Sequence, residues 1–403
     1  MRNPSLFLKK GRASSILRFH PWIFSGAVAR IEGKATEGAV IDVFAADGAY
    51  LATGHYQEGS IAVRILSFVG PGLPDDFWLE RLRRAYALRV RLGLGSRGRL
   101  PTTAYRLVHG EGDHLPGLVI DYYEGVAVVQ AHSAGMFLAM PEVTEALKRL
   151  YGDELLAVYD KSSGTAPFKA GLTLQDGYGY RSDSFNHRNG VHTVLENGHR
   201  YVVDWEGGQK TGFFLDQREN RVLLESMSQK SRVLNLFCYS GGFSVAALAG
   251  GAAQVDSVDS SQRAIDLLQQ NMALNFSHEG CHRAFTSDAY AFLKGSEKEA
   301  YNLMILDPPA FAKHTEAKKQ ALQAYKRLNA VAFDRIAAGG ILFTFSCSQV
   351  VDKTDFGLAV FSAAAISGRK VRMVHRLTQA PDHPVNIYHP EGEYLKGLVL
   401  YVE

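Results

Sequence analysis

Beyond residue 230, short apolar runs alternate with longer stretches whose apolar positions recur every three or four residues. The apolar runs predict strands over 232–237, 254–258, 283–285, 301–306, 340–346, 370–377 and 394–402. The periodic stretches predict helices from 240 to 248, 261 to 275, 316 to 337 and 355 to 366. Strands joined by short helical crossovers imply a parallel, doubly wound sheet. Such a sheet binds its ligand beyond the carboxyl ends of its strands.

The first 190 residues follow another rhythm. Runs at 40–44, 50–53 and 61–65 are separated by Asp47-Gly48 and Glu58-Gly59, which predicts a small barrel or sandwich. Gly70-Pro71-Gly72-Leu73-Pro74 punctuates the chain as a linker, and an arginine-rich helix is expected over 76–94. Strands at 118–123 and 126–129 flank the hairpin signal Glu124-Gly125. A helix over 141–151 and a strand near 155–159 complete an α+β region, and a further β segment over 191–204 leads into the next domain. The expected architecture is a multidomain α/β protein: a small β domain over 1–70, a helix and α+β domain over 71–190, and a Rossmann-like domain over 191–403.

Composition narrows the class. With 403 residues, 46% hydrophobic and 21% charged, the chain has an ordinary globular make-up for two or three domains. It holds no apolar run long enough for a spanning helix. Residues 1–24 mix Lys9, Lys10, Arg12 and Arg18 among apolar positions, unlike a signal peptide. Cys238, Cys281 and Cys347 show no zinc-ligand spacing, so neither a metal site nor a disulfide framework is expected, and a cytoplasmic location is. Net charge is +3 overall but +8 within residues 1–110, and eight arginines lie between Arg81 and Arg106 with no acid among them. That asymmetry points to a polyanion, with Lys9, Lys10, Arg12, Arg81, Arg83 and Arg84 as RNA-binding candidates. The competing reading is a solvated helix face.

Candidate chemistry gathers at the predicted strand ends. The first strand runs into Phe237-Cys238-Tyr239-Ser240-Gly241-Gly242, where small residues let backbone approach a ligand at a helix N-terminus. The GxGxxG spacing of a dinucleotide site is missing. Asp259 ends the second strand, placed for a ribose diol, and Asp288 follows the third, placed for an adenine amino group. Phe237, Ser240, Gly241, Gly242, Asp259 and Asp288, with Asp307 bordering them, have the form of an S-adenosylmethionine site. Any single acid there is equally a helix cap. Asp307-Pro308-Pro309-Ala310-Phe311 forms a rigid loop whose carboxylate can face a flat base, with Phe311 available to stack on it. Cys347, between Ser346 and Ser348, stands where an apolar strand stops. A thiolate there can add to C6 of a pyrimidine and make C5 nucleophilic, with Asp307 near N3. Cys238 and Cys281 read as small buried hydrophobes.

Three blocks, Asn235 to Gly241, Asp307 to Phe311 and Phe345-Ser346-Cys347-Ser348, resemble bacterial 23S ribosomal RNA cytosine-5 methyltransferases. More narrowly, the chain resembles the PUA-containing large-subunit rRNA methyltransferase family. His20-Pro21-Trp22-Ile23-Phe24 resembles the start of its PUA domain, and Lys210 to Arg218 its block before the Rossmann core. Ala380-Pro381-Asp382-His383-Pro384 and Glu391 to Gly397 resemble its C-terminal block. The resemblance implies a PUA domain, a central domain and a class I methyltransferase domain. It also implies S-adenosylmethionine as cofactor, Cys347 as nucleophile, Asp307 beside it, and 23S rRNA as partner, with a homodimer compatible. Many members of the wider class carry a second Cys beside the loop proline; Ala310 stands there here, as in the narrower family. Two other functions compete: a purine N-methyltransferase, which needs no thiol, and a non-catalytic ribosome-assembly factor.

Overall fold

The computed structural model describes residues 3–95, 101–166, 173–186, 192–277 and 280–403. It divides into two compact units. The first comprises Met1–Gly198, Val203–Phe213 and Pro381–Gly392; the second comprises His199–Val202, Phe214–Ala380 and Glu393–Glu403.

The first unit opens with a six-stranded mixed sheet of β1 (Ser5–Leu8), β2 (Trp22–Phe24), β3 (Val28–Glu32), β4 (Val40–Phe44), β5 (Tyr50–Tyr56) and β6 (Ile61–Ser67). The ladder order is β2-β6-β5-β4-β1-β3, with only β1 and β4 parallel. The Asp47-Gly48 turn joins β4 to β5 as expected, and Gly48 has φ 87°. β1 to β3 carry no clean alternation and were not legible in the sequence. Helix α1 (Phe77–Arg91) leads to β7 (Ala104–His109), β8 (Leu118–Tyr123), β9 (Val126–Ala131), α2 (Ala134–Leu138), α3 (Met140–Tyr151), β10 (Ala157–Asp160) and β11 (Gly177–Arg181). These five strands form a second sheet ordered β11-β10-β9-β8-β7. Leu79, Leu82 and Ala85 of α1 share its core with Val143 and Leu147 of α3.

The boundary expected at residue 191 differs from the observed division. Leu195 exchanges two bonds with Thr103, backbone to backbone at 2.8 Å and backbone to hydroxyl at 2.9 Å, which ties 192–196 to the first unit. The Asp382 carboxylate accepts the Arg106 N–H at 2.9 Å and so holds the late segment Pro381–Gly392 there too. Several arginines that read as unpartnered have partners, most of them from other segments. Arg89 is fully buried and grips Asp113 with two nitrogens, at 2.5 and 2.7 Å. Arg106 grips Asp121 at 2.8 and 2.9 Å, and Arg83 pairs with Glu80 one turn earlier at 2.8 Å. Arg81 is half-buried on the Leu66 carbonyl, while Arg84 and Arg91 are exposed. Arg97 and Arg99 lie outside the described residues.

The chain crosses to the second unit within a hairpin of β12 (His192–Glu196) and β13 (His199–Val203). Helix α4 (Arg218–Ser226) precedes a seven-stranded sheet. Its strands are β14 (Arg232–Leu236), β15 (Gln254–Asp259), β16 (His282–Thr286), β17 (Leu303–Leu306), β18 (Gly340–Ser346), β19 (Val371–Leu377) and β20 (Lys396–Val402). The order is β16-β15-β14-β17-β18-β20-β19, with β20 antiparallel to both neighbours and the other pairs parallel. Helices α5 (Gly242–Ala249), α6 (Gln262–Asn275), α7 (Ala289–Gly295), α8 (Lys318–Arg335) and α9 (Lys353–Ser367) make the crossovers. Central β17 is buried throughout, the continuous apolar run expected of a strand covered on both faces. The order reverses beside β14, so the crevice beyond β14 and β17 is the topological switch point. Among the described residues, no helix is long and apolar enough to cross a membrane.

Candidate active site

The turn after β14 is wound tightly. Phe237, Tyr239 and Gly241 all have positive φ, at 60°, 44° and 80°. Two non-glycine residues in the left-handed region within three positions cost energy, and such strain gathers at ligand sites. Gly241 is required: besides its φ, a Cβ there would lie 2.8 Å from the Leu268 side chain. Ser240 is buried, and its carbonyl accepts a bond from Asn271 at 2.8 Å. Gly242 opens α5, and Phe237 is half-buried.

Asp259 is anchored to this turn. Its Oδ2 accepts the Tyr239 N–H and its Oδ1 the Ser261 N–H, both at 3.0 Å. Each oxygen keeps a second lone pair for a diol. The Ser287 N–H reaches the Asp259 carbonyl at 2.9 Å, which brings the β16 loop alongside. Asp288, on that loop, is exposed and caps α7 by accepting the Ala291 N–H at 2.7 Å. The structure thus places the turn and Asp259 together, with the Asp288 loop adjoining. A backbone-lined cradle at a helix N-terminus, bordered by an oriented carboxylate, fits the polar adenosyl portion of S-adenosylmethionine.

Asp307 and Cys347 end neighbouring parallel strands, because Leu306 pairs with Thr344. Cys347 is half-buried, and its Sγ lies 3.9 Å from the Pro308 carbonyl oxygen. Asp307 Oδ2 accepts a bond from Gln217 Nε2 at 3.0 Å, and Gln217 in turn accepts from Asn220 at 2.6 Å. Ser348 Oγ meets the Tyr325 hydroxyl at 3.1 Å and the Ala312 N–H at 3.3 Å, which fixes the backbone on the far side of Cys347. Phe311 is half-buried with its ring centroid 4.7 Å from that of Tyr325. It packs on the core. Lys9, Lys10 and Arg12 are exposed on the first unit.

Cys238 is buried, and burial pushes its thiol well up. Cys281 corrects an expectation: it is exposed, because it immediately precedes the edge strand β16. All three cysteines are free thiols.

Several residues around the site were not singled out in the sequence, though two of them lie in blocks that carry the resemblance. Gln217 and Asn220 precede the sheet; Gln217 lies in the Lys210 to Arg218 block and Asn220 just beyond it. Lys396 pairs with Ser346 across the antiparallel β18–β20 ladder. It is 5% exposed, and its ammonium donates to the carbonyls of Ser348 and Tyr394, both at 2.6 Å. Burial pushes it down to about 8, with Cys347 the largest influence opposing that shift.

Comparison with known proteins bears directly on these positions. Residues 105–398 match the family model of S-adenosylmethionine-dependent methyltransferases, and residues 6–68 match a PUA-like domain. The chain is 38% identical over 401 residues to ribosomal RNA large subunit methyltransferase I of Aeromonas hydrophila, with 98% of each chain covered. The same identity holds over 404 residues with the enzyme of that name from Klebsiella pneumoniae, at 99% and 98% coverage. The chain belongs to the ribosomal RNA large subunit methyltransferase I family. Its cofactor is S-adenosylmethionine, and its fold is a PUA-like β domain joined to a Rossmann-like methyltransferase domain. A SAM-dependent methyltransferase from Streptococcus mutans shares that fold at TM-score 0.81 and 21% identity, with 99% and 100% coverage. A methyltransferase solved with SAH does so at TM-score 0.82 and 22% identity, with the same coverage.

Proposed function

We propose that this methyltransferase modifies C5 of a cytosine in large-subunit ribosomal RNA, specifically 23S rRNA, through a covalent adduct on Cys347. The substrate is carried over from the relatives' name. The observation that supports the chemistry is a half-buried thiol, outside any disulfide, at the end of β18, with Asp307 at the end of the neighbouring strand β17.

S-adenosylmethionine, when bound, supplies an electrophilic methyl group. The turn Phe237 to Gly242, Asp259 and Asp288 would hold it. Cys347 Sγ forms a bond to C6, and the C5=C6 electron pair becomes available at C5. Asp307, oriented by Gln217, acts in its protonated form and donates a hydrogen bond to N3, where the negative charge appears. After C5 is methylated, its proton leaves to a base, the C5=C6 bond re-forms and Sγ departs as thiolate. The target base must be unpaired or extruded to reach a strand-end crevice. Exposed Lys9, Lys10, Arg12, Arg83 and Arg84, with half-buried Arg81, supply cationic groups for RNA phosphates. A reducing cytoplasm suits a thiol that must stay reduced.

Mass mapping of rRNA from cells with and without the protein tests this reading. The expected result is one 5-methylcytosine in 23S rRNA that disappears with the gene. Loss of a methylated purine instead would overturn it.

A further inference from the structure

Buried charges are ordinarily paired with an opposite charge, because desolvating a lone ion is costly. Lys396 breaks that rule. Its ammonium is enclosed, and among the described residues its hydrogen-bond partners are two neutral carbonyls, of Ser348 and Tyr394. The nearby carboxylates are engaged elsewhere. Glu393 pairs with Lys353 at 2.6 Å, and Asp352 caps α9 through the Asp355 N–H at 2.8 Å. Tyr325 of α8 meets Ser348 Oγ at 3.1 Å, and burial raises its hydroxyl. Lys396 meanwhile brackets the candidate nucleophile. Its Cα pairs with Ser346, the residue before Cys347, and its ammonium binds the carbonyl of the residue after it.

We propose that Lys396 is the counter-cation of the Cys347 thiolate. This deepens the reading of Cys347 as nucleophile and rests on it. The Cys347 thiol gives its proton to solvent while Lys396 keeps its own, so a buried ion pair replaces a buried lone cation. When Sγ bonds C6, the negative charge passes from sulfur to the pyrimidine ring. When the C6–S bond breaks, the charge returns to a site already holding its cation. No bond to Lys396 forms or breaks. Lys396 is therefore a positioning residue, acting through the thiolate it stabilises.

The test is the pH dependence of iodoacetamide alkylation in the full chain, with each cysteine peptide quantified by mass spectrometry. Exposed Cys281 serves as the reference thiol in the same molecule. The expected midpoint for Cys347 lies at least about one pH unit below that of Cys281, as an adjacent cation produces. Lys396→Met should raise the Cys347 midpoint by about that amount and leave Cys281 unmoved, and Lys396→Arg should retain most of the difference. A wild-type Cys347 midpoint at or above that of Cys281 overturns the proposal. So does an unchanged midpoint in folded Lys396→Met. If Lys396→Met does not fold, the wild-type comparison decides alone. Methyl transfer by Cys347→Ala would overturn the nucleophile reading without touching the wild-type midpoint, so the two claims fail separately.

Discussion

Two buried cations, Arg89 of the first unit and Lys396 of the second, are treated in opposite ways. In the first, Arg89 has no exposed side-chain surface and meets Asp113 through two parallel bonds, with the carbonyls of Ala85, Arg106 and Asp382 taking its other protons. Arg106 is similarly matched to Asp121. These charges are saturated, and they tie α1, β7, β8 and the late segment Pro381–Gly392 into one unit. In the second unit, Lys396 is nearly as enclosed, yet among the described residues its ammonium hydrogen-bonds carbonyl dipoles beside a thiol. A saturated buried ion pair holds structure together. A buried cation left without an anion next to an ionisable nucleophile is poised for chemistry.

The largest effect that would sharpen this contrast falls on the thiol. Cys347→Ala should reduce methyl transfer to an rRNA fragment at least about a thousandfold. Calorimetric affinity for S-adenosylmethionine should stay unchanged, since no cofactor contact is assigned to Cys347. Near-normal turnover would move a purine N-methyltransferase reading to first place.

Next in size is the saturated network. Arg89→Met leaves the Asp113 carboxylate buried without its cation and should cost about 3 to 5 kcal/mol in urea unfolding. Adding Asp113→Leu should recover much of that loss. If Arg89→Met alone is neutral, the network is not what fastens the late segment to this unit.

Lys396→Met should go the other way, leaving stability at pH 7 unchanged or higher by roughly 1 to 3 kcal/mol. The pH dependence carries the sign. Lys396 is held near 8, below its unfolded value, so the unfolded chain binds more protons between the two. Wild-type stability should therefore gain a rising contribution from about pH 8 to about 10.4, absent in Lys396→Met. Thermal melts of both proteins across that range would show it, and parallel curves would contradict it.

The smallest effects separate two carboxylates that look alike in sequence. Asp259→Ala should weaken cofactor binding by about 1.5 to 3 kcal/mol, because its carboxylate is anchored on the strained turn. Asp288→Ala should cost about 1 kcal/mol of stability as a lost cap and weaken cofactor binding less than Asp259→Ala, because the exposed Asp288 carboxylate is shared with the Ala291 N–H. Unchanged cofactor affinity in Asp288→Ala would show that it caps without binding.

What could be read in advance follows from where partners lie along the chain. The strands of the second unit were legible because a covered parallel sheet writes itself as short apolar runs, and Cys347 and Asp307 stand where those runs stop. Strands β1 to β3 were not, since they alternate poorly, and β2 spans only three residues. Arg89 and Arg106 looked like free cations because Asp113, Asp121 and Asp382 approach from other segments, the last 293 positions after Arg89. Lys396 lies within the Glu391 to Gly397 block, but its role could not be read there for the same reason: only the antiparallel return of β20 sets it beside Ser346. Cys281 misled because a lone cysteine near a strand reads as buried, and nothing local says that the strand is an edge.

The central claim is the covalent step at Cys347, and a trapping measurement tests it most directly. The protein would be incubated with S-adenosylmethionine and rRNA fragments carrying 5-fluorocytidine, then digested and examined by mass spectrometry. Fluorine cannot leave C5 as a proton does, so the adduct cannot resolve. The expected result is a methylated fluoropyrimidine bound to the peptide containing Cys347, and to neither of the other two cysteines. Methylation of the unsubstituted RNA with no adduct on the fluorinated one would contradict it.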